Sequence, residues 1–210
     1  MSPHASNARG AARVPVIAMI SGSGRTLANL LEHAERGTSR AHIAMVVASR
    51  PCAGEELARG RGIATIIEPR EIDAARLEAL AREAGASWIV LAGYLRRLGI
   101  PPSLVNRVVN IHPALLPSFG GEGMYGRRVH RAVLDAGCKV SGCTVHLCDD
   151  EYDRGPIIAQ AACPVLDDDT PESLAARVFE LECRTYPVAL EQLLAGRVRV
   201  EGRCARIVSE

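Results

Sequence analysis

Short apolar segments rich in β-branched residues alternate with helical segments through the first half of the chain. The apolar run at residues 14–20 is followed by a glycine loop, after which Leu27, Leu30 and Leu31 recur at the spacing of one helix face. Further strands are predicted at residues 42–48, 64–67 and 87–91, and helices at residues 55–61 and 72–84. This repeated order predicts a parallel sheet with helices on both faces, joined by right-handed crossovers.

The second half of the 210-residue chain has a different pattern. A helix is predicted at residues 129–136, and another begins at the Thr170-Pro171-Glu172-Ser173 run, which is typical of a capped helix start, and continues to Leu194. Extended segments at residues 140–147 and 157–165 predict antiparallel pairing. The predicted fold class is therefore α/β, a three-layer open sheet whose N-terminal half is mostly parallel and Rossmann-like and whose C-terminal half adds an antiparallel extension.

Composition excludes several classes of function. The net charge is +1 and aromatic residues make up 3% of the chain, which disfavours nucleic-acid or membrane-surface binding. The seven cysteines include no C-x-x-C pair, so free thiols in a reducing cytoplasm are predicted. Residues 1–13 read as a loose tail before a single domain at residues 14–210; a transit peptide stays open, and no segment has transmembrane length.

An amide and an imidazole follow an apolar run (Leu104, Val105, Val108, Val109) that predicts a buried strand or the entry to one. Asn110 and His112 are two positions apart, so on an extended backbone they point to the same side. Pro113 then stops strand pairing. Ligands of open α/β sheets bind at the carboxyl ends of strands, so this pair is a candidate active site. The alternative is a polar turn with a capping histidine.

The glycine loop at residues 21–26 lies where the first strand meets the first helix. Its free backbone amides and the positive helix end would attract an anion, and Ser23, Arg25 and Thr26 could contribute donors. The loop matches neither the dinucleotide fingerprint nor a P-loop. A tight turn without ligand is the alternative.

An acidic loop supplies a candidate partner for His112. Residues 149–153 contain four carboxylates, most of which are expected in a solvated turn. Asp153 differs because the rigid Gly155-Pro156 turn follows it and could direct one side chain inward. Beside His112, its charge would orient the imidazole ring and raise its pKa.

Five segments, in order, resemble the folate-dependent formyltransferases, most closely those that act on glycinamide ribonucleotide in purine biosynthesis. They are Ile20-Ser21-Gly22-x-Gly24, Leu91-Ala92-Gly93-Tyr94-Leu95-Arg96-Arg97-Leu98, Asn110-Ile111-His112-Pro113-Ala114-Leu115-Leu116-Pro117-Ser118, Gly142-Cys143-Thr144-Val145-His146 and Asp153-x-Gly155-Pro156-Ile157-Ile158. The resemblance spans Val14 to Leu194. It implies transfer of a formyl group from 10-formyltetrahydrofolate, as cosubstrate, to the amine of the ribonucleotide.

The resemblance also implies a role for individual residues. The catalytic residues would be Asn110, His112 and Asp153. The ribonucleotide and its phosphate would contact Gly24, Arg25, Thr26 and Glu182. The folate would contact Arg70, Leu95, Arg96, Arg97, Leu98, Asn110, Asp149, Asp150, Glu151, Tyr152 and Asp153. The phosphate-binding half would cover about residues 14–105, and the catalytic and folate-binding half about residues 106–200.

The implied chemistry needs no metal and no covalent enzyme intermediate. Asn110 and a protonated His112 would donate hydrogen bonds to the formyl oxygen, and Asp153 would keep His112 charged and help to move the amine proton. The remaining histidines (His4, His33, His42, His130) are predicted to lie at the surface or in the tail, with His146 as an exception near the site. The partners would be small molecules, bound by a monomer or a homodimer.

Two departures from the family leave alternatives open. Arg25-Thr26 stands where the family often has Ser-Asn, which puts the phosphorylated acceptor in doubt. The glycine-rich segment at residues 120–126 reads either as a flexible active-site loop or as a harmless insertion. A formyltransferase acting on a nucleotide-linked amino sugar, a 10-formyltetrahydrofolate hydrolase and a non-catalytic binding module remain as rivals. A methionyl-tRNA formyltransferase would need a further C-terminal domain.

Overall fold

The computed structural model describes residues 12–208, so residues 1–11 of the predicted tail lie outside it. The strands are β1 Val14–Ile20, β2 Ala41–Ala48, β3 Ala64–Ile67, β4 Trp88–Leu91, β5 Val108–His112, β6 Val140–Leu147, β7 Ile157–Pro164, β8 Val198–Glu201 and β9 Cys204–Ile207. The α-helices are α1 Arg25–Glu35, α2 Ala53–Gly60, α3 Ala74–Glu83, α4 Arg127–Asp135 and α5 Pro171–Leu194. The nine strands form one sheet in the order β3-β2-β1-β4-β5-β6-β7-β9-β8.

The parallel half confirms the prediction from strand–helix alternation. Strands β1 to β5 pair only in parallel with one another. Val16, Ala18 and Ile20 of β1 face the cluster that includes residues of α1, α2 and α5, whereas Ile17 and Met19 face α3. Because helices cover both faces, residues 16–20 are fully buried, which explains the unbroken apolar run.

The C-terminal half extends the sheet as predicted, through the antiparallel pairs β5–β6 and β6–β7. The start of β5 differs from the prediction. Leu104 belongs to a 3₁₀ turn at Pro102–Leu104 and Val105 is exposed, so the strand begins only at Val108. The hairpin β8–β9 was not predicted, because its strands have only four residues each and bury little apolar surface.

The state of the cysteines and the composition of the helices bear on the class of protein. All seven cysteines are free, as predicted. Within residues 12–208, no helix combines the length and the apolar composition needed to cross a bilayer.

Gly142 on β6 allows close packing against β7. A Cβ added at this position would lie 2.0 Å from the backbone oxygen of Ala161, an atom held by the ladder between the two strands. We therefore expect Gly142→Ala to lower the free energy of unfolding by roughly 1–3 kcal/mol in urea denaturation. The matched control is Gly60→Ala at the end of α2, where a Cβ meets nothing within 4 Å. That change should stabilise the chain by about 0.5 kcal/mol, and equal effects of the two changes would contradict this account.

Candidate active site

Asn110 and His112 occupy the end of β5, and the neighbouring strand brings a third polar side chain beside them. In the antiparallel β5–β6 pair, Asn110 lies opposite His146 and His112 opposite Thr144. The Asn110 Nδ2 atom is 3.2 Å from Nε2 of His146. Pro113 follows directly, and the strand ends before it. The register of the sheet therefore creates a cluster of polar side chains at this edge.

Asp153 lies between the two histidines. Its Oδ2 is 3.5 Å from Nδ1 of His112, and its Oδ1 is 3.4 Å from Nε2 of His146. Its backbone has φ 55°, in the left-handed region, which turns the side chain back toward β5 just before Gly155 and Pro156. The side chain of Asp153 is 12% exposed. The hypothesis that Asp153 meets His112 is thus confirmed in the structure.

The hydrogen bonds of His112 define which ring nitrogen is basic. Nε2 lies 2.8 Å from the carbonyl oxygen of Phe119, so Nε2 carries a hydrogen and donates it. Nδ1, which faces Asp153, is then the nitrogen that can take up a proton. The pKa of His112 is lowered, because burial outweighs the opposing effects of Asp153 and the Phe119 carbonyl. As predicted, the charge of Asp153 acts to raise this pKa, but the net shift is downward because the histidine is only 3% exposed.

Asp153 itself is stabilised as a carboxylate. Burial raises its pKa, but the hydrogen bond with His146, the charge of His112 and the backbone amide of Gly121 together outweigh burial and lower it. The Gly121 N–H donates to Oδ2 over 2.9 Å. At neutral pH, therefore, the free enzyme pairs a carboxylate with a predominantly neutral imidazole.

His146 orients the Asn110 amide. Its Nδ1 donates to the carbonyl oxygen of Leu147 over 2.9 Å, and its Nε2 lies 3.2 Å from Nδ2 of Asn110 and 3.4 Å from Oδ1 of Asp153. This role was not predicted, although His146 was singled out. Its position opposite Asn110 depends on the β5–β6 register, which the sequence does not specify.

His130 is buried, so the prediction that it lies at the surface is wrong. It is 4% exposed, because Val129, His130 and Val133 form the inward face of α4. Burial, with a contribution from His112, lowers its pKa to about 4, so the ring is neutral. Its Nδ1 has no hydrogen-bond partner among the residues described. The apolar residues Val129 and Val133, one helical turn apart, were the sequence signal that could have indicated a buried face.

The glycine-rich segment contacts the catalytic cluster. Phe119, just before it, accepts the hydrogen bond from His112, and Gly121 donates to Asp153. A Cβ added at Gly120 would lie 3.1 Å from Cβ of Asp153. The segment therefore lines the candidate site, which favours the interpretation as an active-site loop over that as a harmless insertion.

Most of the predicted site residues line one cavity of about 640 Å³. Its lining includes Arg25, Thr26, Glu182, Leu95, Arg96, Arg97, Leu98, Asn110, His112, Asp149, Asp150, Glu151, Tyr152 and Asp153. Gly24 and Arg70 are not among the lining residues. Arg70 is exposed two residues before Ile72, which forms a bridge with Leu98. The volume is typical of small-molecule sites.

The loop after β1 presents an arginine to this cavity. Gly24 has φ 74°, and an added Cβ would lie 2.5 Å from Cα of Gly54, so the glycine is required by packing against α2. Arg25 begins α1, and its guanidinium carbon lies 3.6 Å from the centroid of the Phe179 ring. Burial raises the pKa of nearby Glu182 to about 7, against the opposing charge of Arg25.

Comparison with known proteins identifies the family. The profile described as Formyl transferase matches residues 14–190. The chain belongs to the formyl transferase family. It is 36% identical to the chloroplastic phosphoribosylglycinamide formyltransferase of Arabidopsis thaliana, over 89% of this chain and 68% of the relative.

Solved structures place the chain within this family in the same way. Glycinamide ribonucleotide transformylase 1 from Symbiobacterium toebii has a TM-score of 0.84 and 37% identity, covering 94% of this chain and 95% of that one. A formyltetrahydrofolate deformylase from Pseudomonas syringae has a TM-score of 0.82 and 26% identity, covering 95% of this chain and 67% of that one. The sheet order and the family agree with the fold predicted from sequence.

Proposed function

We propose that this chain transfers the formyl group of 10-formyltetrahydrofolate to the glycine amine of glycinamide ribonucleotide. The products are formylglycinamide ribonucleotide and tetrahydrofolate, in de novo purine biosynthesis. The observation that carries the proposal is the contact between Asp153 and His112, beside Asn110, in a cavity that also includes Arg25. Relatives that match most of this chain bear the name of this activity.

Asn110 is proposed to stabilise the charge that develops on the formyl oxygen. The amine lone pair forms a bond to the formyl carbon, and the carbonyl π electrons move to the oxygen. The Nδ2 atom of Asn110 lies 3.2 Å from Nε2 of His146 and has no other side-chain partner among the described residues, so it can point a hydrogen at the oxygen. A preorganised donor of this kind is worth about 3 kcal/mol of transition-state stabilisation.

His112 and Asp153 are proposed to transfer the proton. The attacking amine loses a proton, which passes to the basic Nδ1 of His112, and Asp153 stabilises the resulting imidazolium. The imidazolium then gives this proton to N10 of the folate as the bond between N10 and the formyl carbon breaks. The formyl group remains on the acceptor nitrogen, and His112 returns to its neutral form.

The remaining site residues divide between the two substrates. Arg25, Thr26 and Glu182 are proposed to bind the ribonucleotide, with Gly24 shaping the loop. Leu95 to Leu98 and Asp149 to Asp153 are proposed to surround the folate, and Arg70, which does not line the cavity, is proposed to contact it as well. We also infer a cytoplasmic enzyme with small-molecule partners, which the net charge of +1 and the seven free thiols support.

Three parallel reactions test the acceptor. Purified chain is mixed with 10-formyltetrahydrofolate and with glycinamide ribonucleotide, a nucleotide-linked amino sugar, or no acceptor, and folate deformylation is followed by absorbance. We expect turnover only with the ribonucleotide. Equal turnover without acceptor would identify a hydrolase instead, and turnover only with the amino sugar would move the enzyme to that substrate class.

Arg25→Ala should weaken binding of the ribonucleotide selectively. Because a guanidinium–phosphate contact is charge-assisted, we expect the KM for glycinamide ribonucleotide to rise about tenfold or more, with the KM for the folate little changed. Steady-state kinetics with each substrate varied in turn measures both values. Arg36→Ala, at an exposed position just beyond α1, is the control and should change neither KM. An unchanged ribonucleotide KM in Arg25→Ala would remove Arg25 from the phosphate site.

A further inference from the structure

The guanidinium of Arg25 lies against an aromatic ring and makes no hydrogen bond within the described part of the chain. Its carbon is 3.6 Å from the centroid of the Phe179 ring, a distance typical of a close cation–π contact. Both residues line the cavity, together with Glu182. The N–H donors of Arg25 are therefore available to a ligand.

The Phe179 ring is held in place by the packing of α5 against the sheet. Phe179, Glu182 and Tyr186 share one face of α5, since they are spaced at helical intervals. Tyr186 is fully buried, and its hydroxyl lies 2.9 Å from the carbonyl oxygen of Leu91 and 3.0 Å from that of Val109. Helix α5 is thereby fixed to β4 and β5, and Phe179 is fixed with it.

Arg25 stands where an isolated cation is unfavourable. It is the first residue of α1, at the positive end of the helix, and the first turn of α1 contains no acidic residue. The Phe179 ring and the Glu182 carboxyl group are the neighbours that offset this cost. An anion held by the same amides and guanidinium would offset it further.

We propose that Phe179 is a positioning residue that holds the guanidinium of Arg25 flat, so that its in-plane N–H donors bind the phosphate of a phosphomonoester acceptor in bidentate fashion. The inference rests on the proposed function and identifies the residues that select a phosphorylated acceptor. A planar guanidinium matches two phosphate oxygens only when its plane is fixed, and stacking on a ring fixes that plane.

The contact with Phe179 also accounts for Arg25-Thr26 in the glycine loop, where the family often has Ser-Asn. Short side chains at these positions are held by the loop itself, whereas a long arginine side chain has many rotamers. In this chain, Arg25 and Phe179 therefore act as a pair, and the ring has a use only while the arginine is present.

A double-mutant cycle tests the pair. Phe179→Leu should raise the KM for glycinamide ribonucleotide roughly three- to tenfold, with kcat and the folate KM within about twofold of the parent values. Phe179→Tyr retains the ring and should restore most of the affinity. In the Arg25→Ala background, Phe179→Leu should have no further effect, because the group that it positions is gone. Val188→Ala, at an exposed position on α5, is the control for apolar truncation.

Direct binding separates this inference from the proposed function. Calorimetric titration with ribose 5-phosphate, which has no amine, measures the phosphate site without turnover. Weaker binding to Phe179→Leu than to the parent chain supports the positioning role, even if no formyl transfer is found. Equal affinities, or effects of Arg25→Ala and Phe179→Leu that multiply independently, would overturn it.

Discussion

Asp153→Asn is expected to lower kcat about a thousandfold, while both KM values change by less than about fivefold. The amide has nearly the shape of the carboxylate but carries no charge. It therefore cannot stabilise the imidazolium that forms when His112 takes the amine proton. The side chain lies 3.5 Å from His112 and 3.4 Å from His146, so the loss acts on both rings at once.

Steady-state kinetics and urea denaturation together test this expectation. Asp168→Asn, an exposed aspartate on the loop before α5, makes the same chemical change away from the site and should keep parental kcat. The free energy of unfolding of Asp153→Asn should stay within about 2 kcal/mol of the parent value, so that lost activity is not lost structure. Turnover within tenfold of the parent would remove Asp153 from the mechanism.

His112→Gln is expected to have an effect of similar size, about a thousandfold or more on kcat. The glutamine amide can still donate to the carbonyl oxygen of Phe119, but it cannot take up a proton. The pH dependence adds a second signature. Because burial lowers the pKa of His112, the neutral, active form persists below the ordinary histidine pKa. Parental kcat/KM should fall only at still lower pH, as His112 becomes protonated.

The His112→Gln variant should lose the fall in kcat/KM at low pH, which is the acid limb of the profile, as well as most of its turnover. Glu182, with a pKa of about 7, also titrates near neutrality, so the limb is assigned to His112 only if His112→Gln removes it. His42→Ala, at an exposed position on β2, is the control and should retain both rate and profile. Parental turnover in His112→Gln would exclude His112 as the proton carrier, and an acid limb that survives in its residual activity would assign that limb to another group such as Glu182.

Local pattern was sufficient for most of the fold. Strands such as Ala64–Ile67 and Val140–Leu147 match their predicted limits, because apolar alternation and flanking glycines act within a few residues. The start of β5 did not match, since the apolar Val105 is exposed beside a 3₁₀ turn. The hairpin β8–β9 joins the sheet by pairing with β7, a long-range contact that two four-residue strands do not reveal in the sequence.

The site shows the same division between local and long-range information. Resemblance and spacing selected Asn110, His112 and Asp153, and the structure brings them together. The direction of the His112 pKa shift required the depth of burial, which no spacing reveals. His146 required the strand register, and the stacking of Arg25 on Phe179 required the packing of α5 against α1. Contacts between distant segments are what sequence pattern cannot supply.

The fate of the formyl group is the most direct test of the central claim. Purified chain is incubated with 10-formyltetrahydrofolate and glycinamide ribonucleotide, and formylglycinamide ribonucleotide and free formate are measured by mass spectrometry and enzymatic assay. We expect formylated ribonucleotide without free formate, at a rate that Asp153→Asn nearly abolishes. Deformylated folate accompanied by free formate, with no formylated ribonucleotide, would contradict it.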